Sequence, residues 1–303
     1  MRNYSNIAII SSFFGLWMNS FITEEVQIIL GFLLIFTFGI LHGANDLLLI
    51  ANINTAQQSS SRVKILGYYV MVVLTGILLF YVTPQIALLL FIIVSAYHFG
   101  EQQWQNIQHD FPKWLVALFK FFYGFIILLL LFNFHTDEVQ NIILNIANIN
   151  IPDSYFNIFL QVSGIIFIGL SAYLYWISEK IRKKMLLEFF YLILFAILFK
   201  SSSLIWGFAI YFVLWHSIPS IIDQIKFLNG SFSMKYFIEY CRAAAIYWFI
   251  SILGIVFIYY LCQGERLFNA LFFSFLAAIT FPHAAVITEM FRGGEKQIKN
   301  REA

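Results

Sequence analysis

"VQIILGFLLIFTFGILHGANDLLLI", Val26–Ile50, is a run of 25 residues with no lysine or arginine and a single acid, Asp46. A helix of about 20 predominantly apolar residues crosses the ~30 Å hydrocarbon layer of a bilayer. The run is continuously apolar rather than alternating with period two, which excludes the strand of a membrane β-barrel. It therefore reads as a membrane-spanning helix. Its last third is less simple, because it holds His42, Asn45 and Asp46. Ionisable groups in lipid are costly, so they face the interior of a helix bundle and serve a function there.

The rest of the chain extends this reading. Of 303 residues, 61% are hydrophobic and only 11% charged, and the mean hydropathy is +0.81. A soluble domain is about a quarter charged. Further apolar runs lie near 6–22, 65–83, 84–103, 114–134, 155–177, 186–200, 204–223, 243–262 and 267–290. The fold expected is all-α: a polytopic transmembrane helix bundle of about ten spans, with residues 1–303 forming a single integral membrane domain. The first run lacks a small-residue cleavage site and reads as a membrane helix rather than a removed signal peptide.

Lysine and arginine set the orientation. Arg62 and Lys64, the group Lys180, Arg182, Lys183 and Lys184, then Lys226, Lys235 and Arg242, and the tail with Arg292, Lys296, Lys299 and Arg301 all fall on one side if ten helices alternate. Both termini are then cytoplasmic, in a multi-pass protein of the cytoplasmic (inner) membrane. The segment 137–153 has apolar residues at helical spacing and reads as an interfacial stretch or lid. Net charge of +2 says little about partners, and no nucleic-acid partner is expected. Cys241 and Cys262 carry no redox or metal signature.

Six histidines are present. His109 and His135 fall at loops and are expected to be solvated. His42, His98, His216 and His283 lie inside apolar runs, on the second, fourth, eighth and tenth expected spans. These spans share one direction, and each histidine falls past the middle of its helix, so the four are expected at one depth. Neutral imidazole is the commonest transition-metal ligand. Four imidazoles without cysteine suit iron, copper or zinc rather than magnesium or calcium. Ligating histidines need outer groups to orient them. Asp46 lies four residues after His42, and Glu101 three after His98, spacings that share a helix face. Asn45, Gln102 and Asp223 are further candidates, although Asp223 also fits a helix end. Phenylalanine occurs 36 times, tyrosine 16 and tryptophan 7. The aromatics cluster around the histidines and could wall a chamber for a long apolar ligand.

The ordered set "GILHGANDLLL", "SAYHFGEQQW", "YFVLWHSIPS" and "FPHAAVI" resembles the Brp/Blh family of membrane β-carotene 15,15'-dioxygenases, found beside microbial rhodopsins. The resemblance covers residues from about 38 to 290. It implies central cleavage of β-carotene by dioxygen to two retinals, with Fe(2+) bound by four histidines. His42, His98 and His216 match the family ligands. The third motif carries a second histidine four residues on, and here that position is Ser220. Either His283 is the fourth ligand, by depth and motif, or the site has three histidines and water. Two other readings compete: a family member with impaired catalysis that binds carotenoid or retinal, and a proton-coupled transporter. The chain lacks the internal repeat that marks many transporters, and lacks the HExxH motif of zinc hydrolases.

Overall fold

The computed structural model describes residues 2–54, 62–107, 111–261 and 265–302. His109 and Cys262 lie outside the described residues. Among those described, the chain is helical, with no strand: α1 Arg2–Met18, α2 Glu24–Leu34, α3 Asp46–Asn54, α4 Arg62–Val82, α5 Pro84–Gln103, α6 Lys113–Phe134, α7 Thr136–Ala147, α8 Asp153–Ile177, α9 Glu179–Ser201, α10 Leu204–Tyr211, α11 Ile218–Asn229, α12 Met234–Leu261 and α13 Glu265–Glu302. Two π-helical segments, Ile35–Gly39 and Phe212–Ser217, interrupt the α pattern.

The ends follow local chemistry. Glu24 and Glu25 open α2, where negative charge complements the helix dipole. Ser178 caps α9, its hydroxyl accepting from Ile181 N–H at 3.3 Å. Gly230, with φ of +79°, closes α11 in the left-handed conformation, and its N–H donates to the Lys226 carbonyl.

Among the described residues, six helices are long and apolar enough to cross a membrane: Pro84–Gln103, Lys113–Phe134, Asp153–Ile177, Leu204–Asn229, Met234–Phe257 and Ser274–Arg292. Tyr4–Met18 and Leu66–Val82 are shorter apolar helices. Large apolar side chains face outward along them, including Tyr81, Ile165, Trp176 and Phe257. Such surface is costly in water and suits lipid. The other two expected spans differ from a plain apolar rod. The run 26–50 breaks into α2, a π segment, a turn at 42–45 and α3. The run 186–200 belongs to α9, whose first turns carry Glu179, Lys180, Arg182, Lys183 and Lys184. Most of the segment expected as an interfacial stretch, 137–153, is α7, with Asp137 and Glu138 in its first turn.

The chain divides into two compact units. The first comprises Met1–Ile35, Ser95–Asn141 and Asn150–His216; the second comprises Phe36–Val94, Ile142–Ile149 and Ser217–Ala303. In the first unit α6 packs on α8 and α9, and α10 packs on α2 and α9. Its core is aromatic: Phe119 stacks on Phe167 at 5.4 Å, and Phe195 meets Tyr211 and Trp215, each at 5.0 Å. In the second unit α13 packs on α4, α3, α11 and α12. Leu49, Val286, Ile287 and Met290 form one core cluster there; Ile221, Ile225 and Tyr240 form another.

Candidate metal-binding histidines

Each unit buries one pair of the four histidines singled out by sequence. In the first unit His98, on α5, and His216, in the second π segment, meet edge to face with ring centroids 4.7 Å apart. Both are 2% exposed. Phe212 stacks on the His216 ring at 5.3 Å, and Phe99 meets it edge-on at 4.9 Å. Tyr211 backs Phe99 at 5.4 Å. The surroundings of this pair are therefore largely aromatic.

His98 is held by the way α5 meets α6. A Cβ built on Gly100 would run into the Lys120 carbonyl, and one on Gly124 would run into the Ala96 carbonyl. Only glycine lets the two backbones approach so closely, a pattern common between membrane helices. One turn beyond His98, Glu101 lies 3.8 Å from Lys120 Nζ, both fully buried, and accepts from the Tyr97 hydroxyl at 3.1 Å. Gln102 donates to the His216 carbonyl at 3.0 Å.

In the second unit His42 and His283 form the other edge-to-face pair, with ring centroids 4.6 Å apart. The tautomers follow from their acceptors. A carbonyl oxygen only accepts, so His42 Nδ1–H donates to the Gly39 carbonyl. Asp46 Oδ1, 2.9 Å from His283 Nδ1, likewise receives that N–H. Each ring then carries its lone pair on Nε2. This is the arrangement of a metal-ligating histidine: one nitrogen pinned by a carbonyl or carboxylate, the other a donor atom for metal. The donor set fits a transition metal. The second Asp46 oxygen accepts from Tyr69 at 2.9 Å, so the carboxylate is fixed from both sides.

Asp46 thus serves a different histidine from the one its spacing indicated. Residues 42–45 are a turn, so the helical-face argument does not apply between positions 42 and 46. Asn45 donates to the Tyr240 carbonyl at 2.9 Å. Asp223 pairs with Lys226 along α11 at 3.8 Å, as at a helix end. His135 corrects the expectation of a solvated ring. It is buried, its Nε2–H donating to the Phe199 carbonyl at 2.8 Å, with Nδ1 3.2 Å from Glu138. Ser220 is buried and accepts from Gln224 at 3.0 Å.

Sequence reasoning missed Gln224, Tyr240 and Tyr69. Gln224 donates to the His42 carbonyl at 2.8 Å, and its own Oε1 accepts from the Tyr240 hydroxyl at 2.8 Å. Its position one helical turn past Ser220 is the signal available for it. Tyr69 and Tyr240 come from distant helices and leave no mark in spacing.

A family model described as Beta-carotene 15,15'-dioxygenase matches residues 33–291 of this chain. No curated protein and no solved structure matches it.

Proposed function

The chain belongs to the beta-carotene 15,15'-dioxygenase family, and from that premise we propose that it cleaves β-carotene at the central double bond with dioxygen, yielding two molecules of all-trans-retinal. His42, His98, His216 and His283 hold iron(II) in this reading. The observation that carries it is the state of the second unit's rings: His42 and His283 have Nδ1–H committed to Gly39 and Asp46, leaving Nε2 as the donor nitrogen on each. Bound there, iron would supply the redox chemistry that joins dioxygen to the alkene.

The chain's own residues supply position and dryness. Asp46 orients His283 and is itself held by Tyr69. Glu101 acts at one remove, tying α5 to α6 through Lys120 near His98. Phe99 and Phe212 keep water from His216 and offer an apolar surface to a polyene. The substrate enters laterally from lipid, since a hydrocarbon gains nothing by crossing water. Retinal is the chromophore of microbial rhodopsins, which makes such a protein the consumer of the product. The loop charges support ten spans with both termini on the cytoplasmic side of the cell's inner membrane.

The test is retinal production in a bacterium that already makes β-carotene. The unmutated chain is expected to yield retinal, and His42→Ala, His98→Ala, His216→Ala and His283→Ala to abolish it while still inserting. Full yield from any one of them removes that residue from the set. A second reading, a carotenoid-binding member without turnover, draws on Ser220 standing where the family pattern has histidine. Metal analysis separates the two: stoichiometric iron favours the enzyme, and its lack favours the binder.

A further inference from the structure

Two of the proposed ligands sit where the helical ladder is broken. The π segment Ile35–Gly39 leads into the turn at His42, and Phe212–Ser217 contains His216. A shift from α to π register leaves carbonyls without their usual donor four residues ahead. In lipid no water replaces that donor, so each such carbonyl needs another partner.

The partners are side chains from elsewhere in the same unit, and they follow one scheme twice. Before His42, the Phe36 carbonyl accepts from Trp248 Nε1 at 2.7 Å. Before His216, the Leu214 carbonyl accepts from the Tyr4 hydroxyl at 2.5 Å. Pro219, which has no N–H, cannot serve Leu214 in π register or Trp215 in α register. At the histidines themselves a glutamine takes over. Gln224 Nε2 donates to the His42 carbonyl at 2.8 Å, and Gln102 Nε2 donates to the His216 carbonyl at 3.0 Å. The Asp46 N–H, which would serve His42 in a continuous helix, goes instead to Gly43 at 3.3 Å.

Gln224 is itself held in one orientation. Its two amide hydrogens reach the His42 carbonyl and Ser220 Oγ, and its Oε1 accepts from Tyr240. The Tyr240 hydroxyl also lies 3.3 Å from the His42 carbonyl and 3.4 Å from Leu41's, but has one hydrogen; the 2.8 Å contact with Gln224 is the shortest. Both glutamines are buried.

We propose that Gln102 and Gln224 are positioning residues that set the metal-binding rings of His216 and His42 by gripping their main-chain carbonyls. Ser220 belongs to the Gln224 grip. The inference rests on the reading of His42 and His216 as iron ligands. An imidazole is placed by its backbone as well as by its ring partners. Where the backbone departs from a regular helix, its exact course depends on what holds the released carbonyls. Methionine at either position keeps the length of glutamine and removes the donor.

The experiment uses the purified full-length protein in detergent with cobalt(II) as the probe. Gln102→Met and Gln224→Met are compared with the unmutated chain for cobalt affinity, visible cobalt absorption, amide exchange of the metal-free protein, and helix content. Both variants are expected to bind cobalt about 10- to 100-fold more weakly, as losses around metal ligands do. Their cobalt bands should shift at unchanged helix content. Metal-free exchange should rise in residues 38–45 for Gln224→Met and in 212–219 for Gln102→Met. Tyr240→Phe and Tyr4→Phe, each removing one hydroxyl, serve if a methionine variant does not fold, and should move the same readouts less. Cobalt binding and bands equal to the unmutated chain's overturn the positioning role. If the unmutated chain takes up no cobalt or iron, the ligand reading fails and the inference falls with it, an outcome distinct from the first.

Discussion

At the scale of single residues, Asp46 is held from both sides. One oxygen takes the His283 N–H and the other takes the Tyr69 hydroxyl. Asp46→Ala strands the buried His283 N–H and the part-buried Tyr69 hydroxyl, each at a cost of up to about 1–3 kcal/mol. It should lower the thermal midpoint and, in the proposed reading, iron uptake, read by denaturation and metal analysis on one preparation. Tyr69→Phe removes one hydrogen bond to a charged group and should cost less, about 1.5–3 kcal/mol. Ser220 gives a directional prediction. A histidine there takes the place of the hydroxyl that accepts from Gln224, so Ser220→His should leave retinal yield unchanged or lower it. A higher yield would mark Ser220 as a lost ligand.

At the scale of elements, the α5–α6 contact decides where His98 lies. Gly100 and Gly124 face carbonyls of the opposite helix, with no room for a methyl group. Gly100→Ala and Gly124→Ala should each force the helices apart, reduce folded yield and weaken metal binding through His98. Gly164 and Gly169, on α8, have nothing within 4 Å of a built Cβ. Alanine at either should be neutral or stabilise its helix by up to ~1 kcal/mol. Thermal midpoints in detergent for the four variants test the contrast directly; equal losses would contradict it. Helix positions were legible in the sequence because hydropathy reports burial in lipid. The break inside 26–50 was not, because a π segment carries no periodicity of its own and depends on what receives its carbonyls.

At the scale of the whole chain, the first unit contains buried charge packed between its helices. Lys120 and Glu101 are both fully buried. Nearby, Glu188 accepts from Tyr123 at 2.7 Å and from Gln103 at 2.8 and 2.9 Å, and lies 3.1 Å from Lys184 Nζ. Breaking a buried pair on one side costs about 3–5 kcal/mol, whereas neutralising both partners is far milder. Lys120→Met should therefore destabilise the protein severely, and adding Glu101→Gln should restore most of the loss. Unfolding free energies of the two singles and the double complete the cycle. In the proposed reading, a chelator that removes iron should stop retinal formation, while the aromatic and aliphatic packing of each unit keeps helix content unchanged.

Membrane class, helix positions and the four buried histidines came from the order of residues alone, because hydrophobicity and the cost of charge in lipid act locally along the chain. The same order placed Asp46 beside His42 by assuming a helix that the turn at 42–45 interrupts. Pairing is where tertiary structure decided. It joined His98 to His216 and His42 to His283, turned Asp46 to His283, and brought Tyr69, Gln224 and Tyr240 from other helices. These contacts depend on how helices meet, and hydrogen-bonding side chains find partners by distance in space rather than by separation in sequence.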